Sequence, residues 1–361
     1  MNSSIKTWTS YYARPSSYIH GGVNESRLQW CLALSKNYDC YVANAKNGYS
    51  GERNPNLKYI DIKHIFKRRF SMIPVDFRRI NFGENAVVQM HEGWTFSALA
   101  MSIACILTRT RYIVTPHGVY DPGVVKNLKQ IFFRKSIEKF VLEHAQFVHL
   151  FFDSEKSGVY EISKDAKVLV ATTGIDDFIT DAKWKGGGKY ALFFGRIDIQ
   201  HKGLDLLLDA FKVSQSSLQL LIVGSGSLNE EKRLSEKINS LGLREKVYTI
   251  SYQPRGILES LIVNSAFVIH PSRWEAFGRG IMESVATGAP TIVSSDAQVS
   301  KSNFLEGLIY NVPPNSTSLI NAINYLVEAQ HDPNMQKEKF NELASGSGSW
   351  EISLRKLMEM L

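Results

Sequence analysis

The segment 270–295 reads HPSRWEAFGRGIMESVATGAPTIVSS and combines short β-type runs with one helical run. A buried strand is expected to end near His270, and a loop continues to Gly278. A helix then runs to about Thr287, where Gly288 ends it and the next strand follows. A strand, a helix and a second strand in this order are typical of parallel sheets that helices cover on both faces.

The same alternation extends over most of the chain, which predicts two α/β domains with doubly wound, Rossmann-like parallel sheets. Two such domains would face each other across a central cleft at the carboxyl ends of their strands, where sheets of this kind bind ligands. The predicted strands are Ala86–Met90, Tyr112–Thr115, Phe147–Phe151, Val168–Thr172, Tyr190–Phe194, Gln219–Val223, Val247–Ile250, Ala266–His270 and Thr291–Ser294. The predicted helices are Asn24–Leu34, Asn127–His144, Leu204–Ser214, Glu230–Leu241 and Gly280–Thr287.

Glycine-rich stretches divide the chain into three parts. Lys183–Lys189 contains three consecutive glycines and suits a hinge, which places one domain at residues 1–182 and the next at 183–345. A second Gly/Ser stretch, Ser345–Ser349, precedes a terminal helix within residues 346–361. The apolar side chains of that helix need a surface to cover, and we expect the helix to cross back to the first domain.

Composition indicates a globular protein with an anionic partner. The chain has 361 residues, of which 44% are hydrophobic and 21% charged, values that exclude a disordered or fibrous protein. Residues 1–186 hold 25 basic and 17 acidic side chains, a net charge of +8, whereas the formal net charge of the whole chain is +7. All of the excess positive charge therefore lies in the first half, which indicates an anionic partner there.

The sequence also favours the cytoplasm. The three cysteines have neither metal-like spacing nor a disulfide pattern, as expected in a reducing compartment. The first residues lack the apolar core of a signal peptide. The longest weakly polar run, Ser97–Leu107, is 11 residues long, and a membrane span needs about 20.

Two carboxylates flank a predicted anion site. Phe277 and Gly278 place backbone N–H groups at a helix start, which favours phosphate. Glu283 lies about 7.5 Å further along the helix axis, within reach of a ribose. Glu275 precedes the helix and would face a sugar on the other side of the phosphates. Together they fit a nucleotide sugar; the alternative is that both glutamates are ordinary surface charges.

A second motif strengthens this interpretation. Strand Tyr190–Phe194 is followed by Gly195 and Arg196, and six residues later Lys202 opens the next helix. Arginine offers a planar fork of donors and lysine a compact charge, a combination suited to a diphosphate. Alone, both residues would be read as solvated loop charges.

These motifs resemble the retaining glycosyltransferases of the GT-B fold, specifically glycosyltransferase family 4 (glycosyl transferases group 1). The resemblance covers most of the chain. It is carried by the E-x7-E spacing of Glu275 and Glu283, by GR…KG at residues 195–203, by Gly21-Gly22-Val23, and by Thr115-Pro116-His117-Gly118.

The resemblance implies roles for individual residues. The first glutamate of the E-x7-E pair contacts the donor sugar, the second contacts the ribose, and the Arg/Lys pair holds the diphosphate. Backbone amides of the early glycine loop assist, and the histidine after the proline lies near the transferred sugar. By position, the catalytic residues are His117, Arg196, Lys202 and Glu275, and the donor-binding residues are Gly21, Gly22, Arg196, Lys202, Phe277, Gly278 and Glu283.

The chain departs from the family pattern without losing a charged ligand of the donor. Thr173 stands where asparagine is usual, Ala276 replaces a glycine and Ala266 replaces an aspartate. The stretch 295–307 is shorter than usual and lacks a clear G-G-x-x-E loop. The base and sugar of the donor, UDP- or GDP-linked, therefore stay open.

No metal or other cofactor is expected. No D-x-D occurs, and the histidines and carboxylates lack metal-ligand spacing. Side chains and helix ends must then neutralise the departing diphosphate. No carboxylate is marked as a covalent nucleophile, so we expect same-face attack through an oxocarbenium-like state, with the leaving phosphate oxygen accepting the proton of the acceptor.

The acceptor is expected on the first domain. Its weaker candidate residues follow two strands and are His91, Glu92, Tyr120 and Asp121. The segment Lys63–Arg79 interleaves six basic residues with apolar ones, which suits an anionic membrane surface; the alternative is a solvated loop whose aromatic side chains pack inward. Nothing indicates nucleic-acid binding. A glycan or lipid-linked saccharide at the cytoplasmic face of a membrane, in surface polysaccharide assembly, is the predicted acceptor.

Two other functions are compatible with parts of this pattern. A nucleotide-sugar epimerase on the same fold needs acid–base residues around the sugar and no acceptor groove. A non-catalytic, membrane-associated glycan-binding subunit needs no intact donor site. The E-x7-E and GR…KG motifs argue against both.

Overall fold

The structure, a computed structural model, describes residues 5–13, 22–46, 53–66, 72–121, 131–214 and 217–361. The chain divides into two compact units. The first comprises Met1–Thr173 together with Trp350–Leu361, and the second comprises Gly174–Ser349.

The first division falls before the glycine run, at Thr173 rather than at residue 182. The segment expected to be a hinge is bonded into the second unit, since the backbone N–H of Trp184 donates to Thr287 and that of Lys185 donates to Val263. A Cβ on Gly188 would lie 2.3 Å from the Asn264 carbonyl oxygen. At this position glycine therefore permits close backbone contact instead of flexibility.

The strands of the first unit are β1 (Thr7–Tyr12), β2 (Asp39–Ala45), β3 (Lys58–Ile62), β4 (His64–Ile65), β5 (Ile73–Pro74), β6 (Ala86–His91), β7 (Arg111–Thr115), β8 (Phe147–Leu150) and β9 (Val168–Val170). Seven of them form a parallel sheet in the order β3-β2-β1-β6-β7-β8-β9, and β4 and β5 form a separate antiparallel pair. Its helices up to this point are α1 (Gly22–Leu34), α2 (Phe96–Leu107), α3 (Ile131–Glu143) and α4 (Lys156–Tyr160).

The strands of the second unit are β10 (Tyr190–Phe194), β11 (Gln219–Val223), β12 (Val247–Ile250), β13 (Phe267–His270), β14 (Thr291–Ser294) and β15 (Tyr310–Val312). They form a six-stranded parallel sheet in the order β12-β11-β10-β13-β14-β15. Its helices are α5 (Ile199–Lys202), α6 (Leu204–Val213), α7 (Leu228–Ser240), α8 (Arg255–Val263), α9 (Arg279–Ala286), α10 (Gln298–Lys301), α11 (Ser316–Glu328) and α12 (Pro333–Ser345).

Both sheets have the doubly wound strand order, so the predicted fold class of two Rossmann-like α/β domains is confirmed. In each sheet the order reverses once, between β1 and β6 in the first unit and between β10 and β13 in the second. Ligands bind outside the carboxyl ends of the strands at such a reversal. The residues that follow β10 and β13 are those that the sequence assigns to the donor.

The C-terminal helix α13 (Trp350–Glu359) belongs to the first unit. The Trp350 indole packs edge-on against that of Trp30 on α1, with ring centroids 5.0 Å apart. Leu357 is fully buried in the same apolar cluster as Trp8 and Phe147. The apolar face predicted from the sequence is thus covered by the first unit.

The apolar run around Ser97–Leu107 forms α2 and ends at Leu107. Among the helices in the described residues, none combines the length and the apolar character that crossing a membrane requires.

Candidate active site

The second unit places its charged residues on the loops that follow β10 and β13. The β10 strand ends at Phe194, and Gly195 with φ +144° turns the chain toward Arg196. The β13 strand ends at the buried His270, which packs edge-on against Phe194 with centroids 5.0 Å apart. These two strands are neighbours in the sheet, so both loops emerge side by side.

Lys202 is held by a short helix with a defined start and end. The Asp198 carboxylate accepts the backbone N–H of His201 at 3.0 Å and caps α5. Gly203 ends it in the left-handed conformation, with φ +65°. A Cβ at this position would lie 2.2 Å from the Pro271 carbonyl oxygen, so only glycine allows α5 to approach the loop after β13 this closely.

Lys202 forms an ion pair with Glu275, 73 residues further along the chain. Both side chains are largely buried, with 17% and 21% of their surfaces exposed. Burial on its own raises the pKa of Glu275, but the Lys202 ammonium and the hydrogen bond from it outweigh burial and lower that pKa below its ordinary value. The pair is therefore charged, and Lys202 presents a cation where the sequence predicts a diphosphate.

Arg196 is held by groups that the sequence analysis did not assign. Its guanidinium lies 3.2 Å from an Asp198 carboxylate oxygen and donates to Nδ1 of His201 at 2.8 Å. Because Nε2 of His201 bonds the Trp274 carbonyl oxygen at 2.9 Å, the ring is neutral with its hydrogen on Nε2. Burial and the nearby Lys202 lower the pKa of His201 to about 4, and its ring stacks on the Trp274 indole at 4.5 Å.

Arg273 joins the two loops and was also missed. Its guanidinium donates two hydrogen bonds to the Asp205 carboxylate, at 2.8 and 2.7 Å, and one to the Gln200 carbonyl oxygen. Its backbone N–H donates to the carbonyl oxygen of His201. The sequence held one signal for this pair. Arg273 lies between the end of β13 and Glu275, and Asp205 follows Lys202 by three residues.

Helix α9 begins at the predicted anion site. Gly278 precedes it in the left-handed conformation, with φ +71°. The first turn packs closely on the sheet, because a Cβ on Gly280 would lie 3.0 Å from the Phe194 ring. Phe277, just before the helix, is buried, and Glu283 is half-buried on the helix, about one turn after its start. A helix start favours an anion, and in α9 the N–H of Ile281 donates to the Gly278 carbonyl oxygen at 2.9 Å.

In the first unit, His117 follows β7 and lies against His91 at the end of β6. His117 has φ +54°, and its Nε2 lies 2.8 Å from Nδ1 of His91. Nε2 of His91 lies 2.9 Å from the Ser10 hydroxyl on β1. Burial and His149 lower the pKa of His117 to about 3, so the ring is neutral at pH 7.

Three of the four acceptor-side candidates, His91, Glu92 and Tyr120, are buried within the first unit. Glu92 is 3% exposed, as is Tyr120, whose hydroxyl donates to the Glu138 carboxylate. That carboxylate also accepts the backbone N–H of Trp94 at 2.9 Å. Asp121 is partly exposed at the end of the described stretch. Tyr120 therefore joins the loops after β6 and β7 to α3.

Some predictions fall wholly or partly outside the described residues. Gly21 lies outside them, and Gly22 is the first residue of α1. In the basic segment, residues 67–71 lie outside them too. Within the described part of the chain, no group of three or more His, Cys, Asp or Glu side chains is placed to hold a metal ion.

Comparison with known proteins finds a family match within the second unit. Residues 174–342 match the model for glycosyl transferases group 1. Mannosylfructose-phosphate synthase of Agrobacterium fabrum is 34% identical over 116 residues, which are 30% of this chain and 25% of that protein. Phosphatidyl-myo-inositol mannosyltransferase of Mycobacterium tuberculosis is 28% identical over 163 residues, 42% of this chain and 41% of that protein.

Solved structures share the fold over nearly the whole chain. Sucrose-phosphate synthase from Thermosynechococcus elongatus has a TM-score of 0.77 at 18% identity, covering 98% of both chains. Anabaena HepE in complex with UDP has a TM-score of 0.72 at 15% identity, covering 98% of this chain and 99% of the other. At these identities the likeness establishes the fold, which is of the GT-B type.

Proposed function

We propose that this chain is a retaining glycosyltransferase that moves a hexose from a UDP- or GDP-sugar to a glycan acceptor in surface polysaccharide assembly. The observation that carries the proposal is the Lys202–Glu275 ion pair within a glycosyl transferases group 1 domain. Removing an ion pair from water costs free energy that the attraction between its charges repays only in part, so a role in binding explains this pair better than a gain in stability does. A diphosphate next to a sugar gives each of the two side chains a partner.

The geometry supports a division of labour among the donor-binding residues. Lys202 and Arg196 bind the diphosphate together with the N-terminal turn of α9. Glu275 accepts hydrogen bonds from hydroxyl groups of the sugar, and Glu283 accepts them from the ribose. Arg273 and His201 touch no donor atom in this scheme: Arg273 ties the loop that carries Glu275 to Asp205, and His201 accepts a hydrogen bond from Arg196.

In the proposed reaction the bond between the anomeric carbon and the β-phosphate oxygen breaks, and the acceptor hydroxyl attacks the same face of the sugar. The proton of that hydroxyl passes to the departing phosphate oxygen. Positive charge develops on the sugar and negative charge on the diphosphate, so fixed cations beside the phosphate stabilise the transition state more than the bound donor. Retention is tested by the anomeric configuration of the first product formed, read by NMR.

We also propose that the transfer needs no metal ion, because Lys202, Arg196 and the start of α9 supply the positive charge that a metal would. Activity measured after exhaustive EDTA treatment, with and without added Mg²⁺ or Mn²⁺, tests this. A loss of more than tenfold that either metal restores would refute it.

The function itself is tested with a panel of nucleotide sugars. Thermal melting with each one identifies the donor, since a ligand that binds the native state raises its stability by RT ln(1 + [L]/Kd). The donor is then incubated with candidate glycan acceptors, and released nucleoside diphosphate and product are both measured. Conversion to an isomeric nucleotide sugar without transfer would indicate an epimerase, and glycan binding without donor binding would indicate a binding subunit.

We propose further that the first unit docks on an anionic membrane at the cytoplasmic face and receives a lipid-linked saccharide. In the described part of the basic segment, Ile65 is 46% and Phe66 63% exposed, whereas Met72 is buried. Helix α2 packs beside β5 and exposes Ile103 and Leu107. Exposed apolar side chains next to lysine and arginine fit a surface of anionic lipids.

Vesicle co-sedimentation at low salt tests the docking. We expect binding to phosphatidylglycerol vesicles, little binding to phosphatidylcholine vesicles, and weaker binding at high salt. Phe66→Ser should weaken the binding, and Tyr252→Ser, which removes an exposed aromatic side chain from the second unit, is the matched control. Equal binding to both lipids would contradict the proposal.

A further inference from the structure

Positive and negative side chains balance each other on the loops after β10 and β13. The described part of these loops holds three ion pairs, which are Lys202–Glu275, Arg196–Asp198 and Arg273–Asp205. Residues 195–205 carry two basic and two acidic side chains, and so do residues 271–283. The region proposed to bind a diphosphate therefore has no net charge, although the nucleotide itself is an anion.

The two histidines of the site leave this balance unchanged. Nδ1 of His201 accepts a hydrogen bond from Arg196, and Nε2 donates to the Trp274 carbonyl oxygen, so the ring is neutral. His270 is buried at the end of β13, and burial lowers its pKa to about 3. Neither ring adds positive charge between pH 5.5 and pH 8.

Lys202 brings any phosphate that it binds close to Glu275. Its Nζ donates to the Glu275 carboxylate. A phosphate oxygen that accepts another hydrogen of the same Nζ must lie within about 6 Å of that carboxylate, since each hydrogen bond is about 3 Å long. Both side chains are mostly removed from water, so the repulsion between carboxylate and phosphate is weakly screened.

The proposed donor and the nucleotide that it leaves behind differ in charge at this phosphate. In a nucleotide sugar the β-phosphate is esterified and carries one negative charge. In the free nucleoside diphosphate it has a second ionisable oxygen with a pKa of about 6, so it is doubly charged at pH 8. The free diphosphate also lacks the sugar hydroxyls that would donate to Glu275.

We propose that Glu275 is a specificity-determining residue that cancels the electrostatic advantage of a doubly charged β-phosphate, so that a nucleotide sugar can displace the diphosphate product. Without the Glu275 carboxylate, Lys202 and Arg196 would hold the more highly charged product more tightly than the donor. This inference rests on the proposed function, because it concerns the substrate and the product of that reaction.

Titration calorimetry with UDP and GDP, and with the methyl esters of their β-phosphates, tests the inference. Each ester has a singly charged β-phosphate and no sugar, so the comparison isolates charge. At pH 8 the unmodified chain should bind free diphosphate and ester within about threefold of each other. Glu275→Gln should bind the free diphosphate about tenfold more tightly than the ester. At pH 5.5, where the free β-phosphate is mostly singly charged, that preference should shrink.

Three controls separate charge from structure. Glu275→Asp keeps the charge and should show the ratio of the unmodified chain. Glu306→Gln removes an exposed carboxylate of the same unit and should do likewise. UMP and GMP lack the β-phosphate and should bind equally to the unmodified chain and to Glu275→Gln. Melting curves establish that each variant folds, and a purely structural defect would weaken diphosphate and ester alike.

Equal ratios in the unmodified chain and in Glu275→Gln would overturn the inference. A tenfold preference of the unmodified chain for free diphosphate at pH 8 would overturn it too, and that measurement needs no variant. If none of these nucleotides binds to the unmodified chain, the proposed function fails and the inference fails with it. If nucleotides bind and sugar is transferred but the ratios are equal, the inference alone is refuted.

Discussion

Lys202 and Glu275 form one ion pair at the candidate site. Each side chain is mostly removed from water and has the other as its ionic partner. Replacing Lys202 leaves an anion beside the site where the proposed diphosphate must bind, and it removes the cation that would stabilise charge on the leaving group. Lys202→Ala should therefore lower kcat about a hundredfold or more and change KM for the acceptor little.

The matched control is Lys212→Ala, an exposed lysine on α6 of the same unit, which should retain full activity. Steady-state kinetics with saturating donor make the comparison. Near-normal turnover of Lys202→Ala would exclude Lys202 from the reaction.

Glu138 makes the stability of the first unit depend on pH. Burial raises its pKa from 4.5 to about 7, although the Tyr120 hydroxyl and the Trp94 N–H oppose the change. Between these values the native state keeps a proton that the unfolded state releases, so the contribution of Glu138 to stability falls as the pH rises toward 7. Glutamine imitates the protonated acid. Glu138→Gln should match the unmodified chain near pH 4.5 and exceed its stability by about 3 kcal/mol at pH 8.

Denaturant unfolding at the two pH values measures this difference. Glu161→Gln, an exposed substitution in the same unit, controls for the loss of one carboxylate. Equal effects of Glu138→Gln at both pH values would show that Glu138 is ionised in the folded protein throughout.

At the scale of elements, short strands between polar loops and helices with a clear apolar face were predictable. The bounds of β10, β11, β12 and β14 equal the predicted ones, and those of α6 and α9 lie within one residue of the prediction. Helix α2 (FSALAMSIACIL) is apolar almost all round and has no helical period to detect. Strand β3 (KYIDI) alternates charged and apolar residues between polar loops and was also missed.

Within the candidate site, the residues that belong to sequence motifs were predictable, and the residues that support them were not. Lys202 and Glu275 were assigned because each stands in a motif at the end of a strand, and the structure joins them directly. His201 and Arg273 were missed because their contacts with Trp274 and Asp205 join residues about 70 positions apart, and the charges near them in the sequence do not by themselves indicate those contacts. The glycines at 186–188 were read as a hinge because a glycine permits both flexibility and close packing, and the sequence does not distinguish the two.

The turn between α5 and α6 depends on one glycine. Gly203 combines a φ of +65° with a neighbouring carbonyl oxygen that a Cβ would strike at 2.2 Å. Gly203→Ala should cost about 2 kcal/mol or more and shift the loop that carries Glu275, which would weaken nucleotide binding. Denaturant unfolding and titration calorimetry with UDP and GDP measure both effects.

Gly256→Ala is the control, since Gly256 lies on α8 and a Cβ there meets nothing within 4 Å. It should leave stability and nucleotide binding nearly unchanged. If Gly203→Ala behaved the same way, the close approach of α5 to the Pro271 loop would not matter for the site.

At the scale of the whole molecule, the first unit is made from two separate parts of the chain. Trp350 is 7% exposed and packs against the fully buried Trp30. Trp350→Ala should destabilise the first unit by about 3 kcal/mol through the cavity that it leaves. The strands of the second unit should be unaffected, because the apolar cluster that holds Trp350 consists of residues of the first unit.

Hydrogen–deuterium exchange resolves the two units. We expect faster exchange in α1 and β1 of Trp350→Ala and unchanged exchange in β10 and β13. Glu351→Ala, an exposed change on the same helix, should have no effect. Equal acceleration in both units would mean that they unfold together.

The division of the first unit also fixes an order of assembly. A ribosome makes Met1–Thr173 before any of the second unit, yet the apolar cluster around Trp8 and Trp30 stays incomplete until α13 has left the exit tunnel. Residues 174–349 are complete earlier, and the hydrogen bond from Ile175 to Gly348 holds their two ends together. The portion of the polypeptide that is translated later can thus reach its native packing sooner, reversing the usual vectorial sequence of co-translational folding.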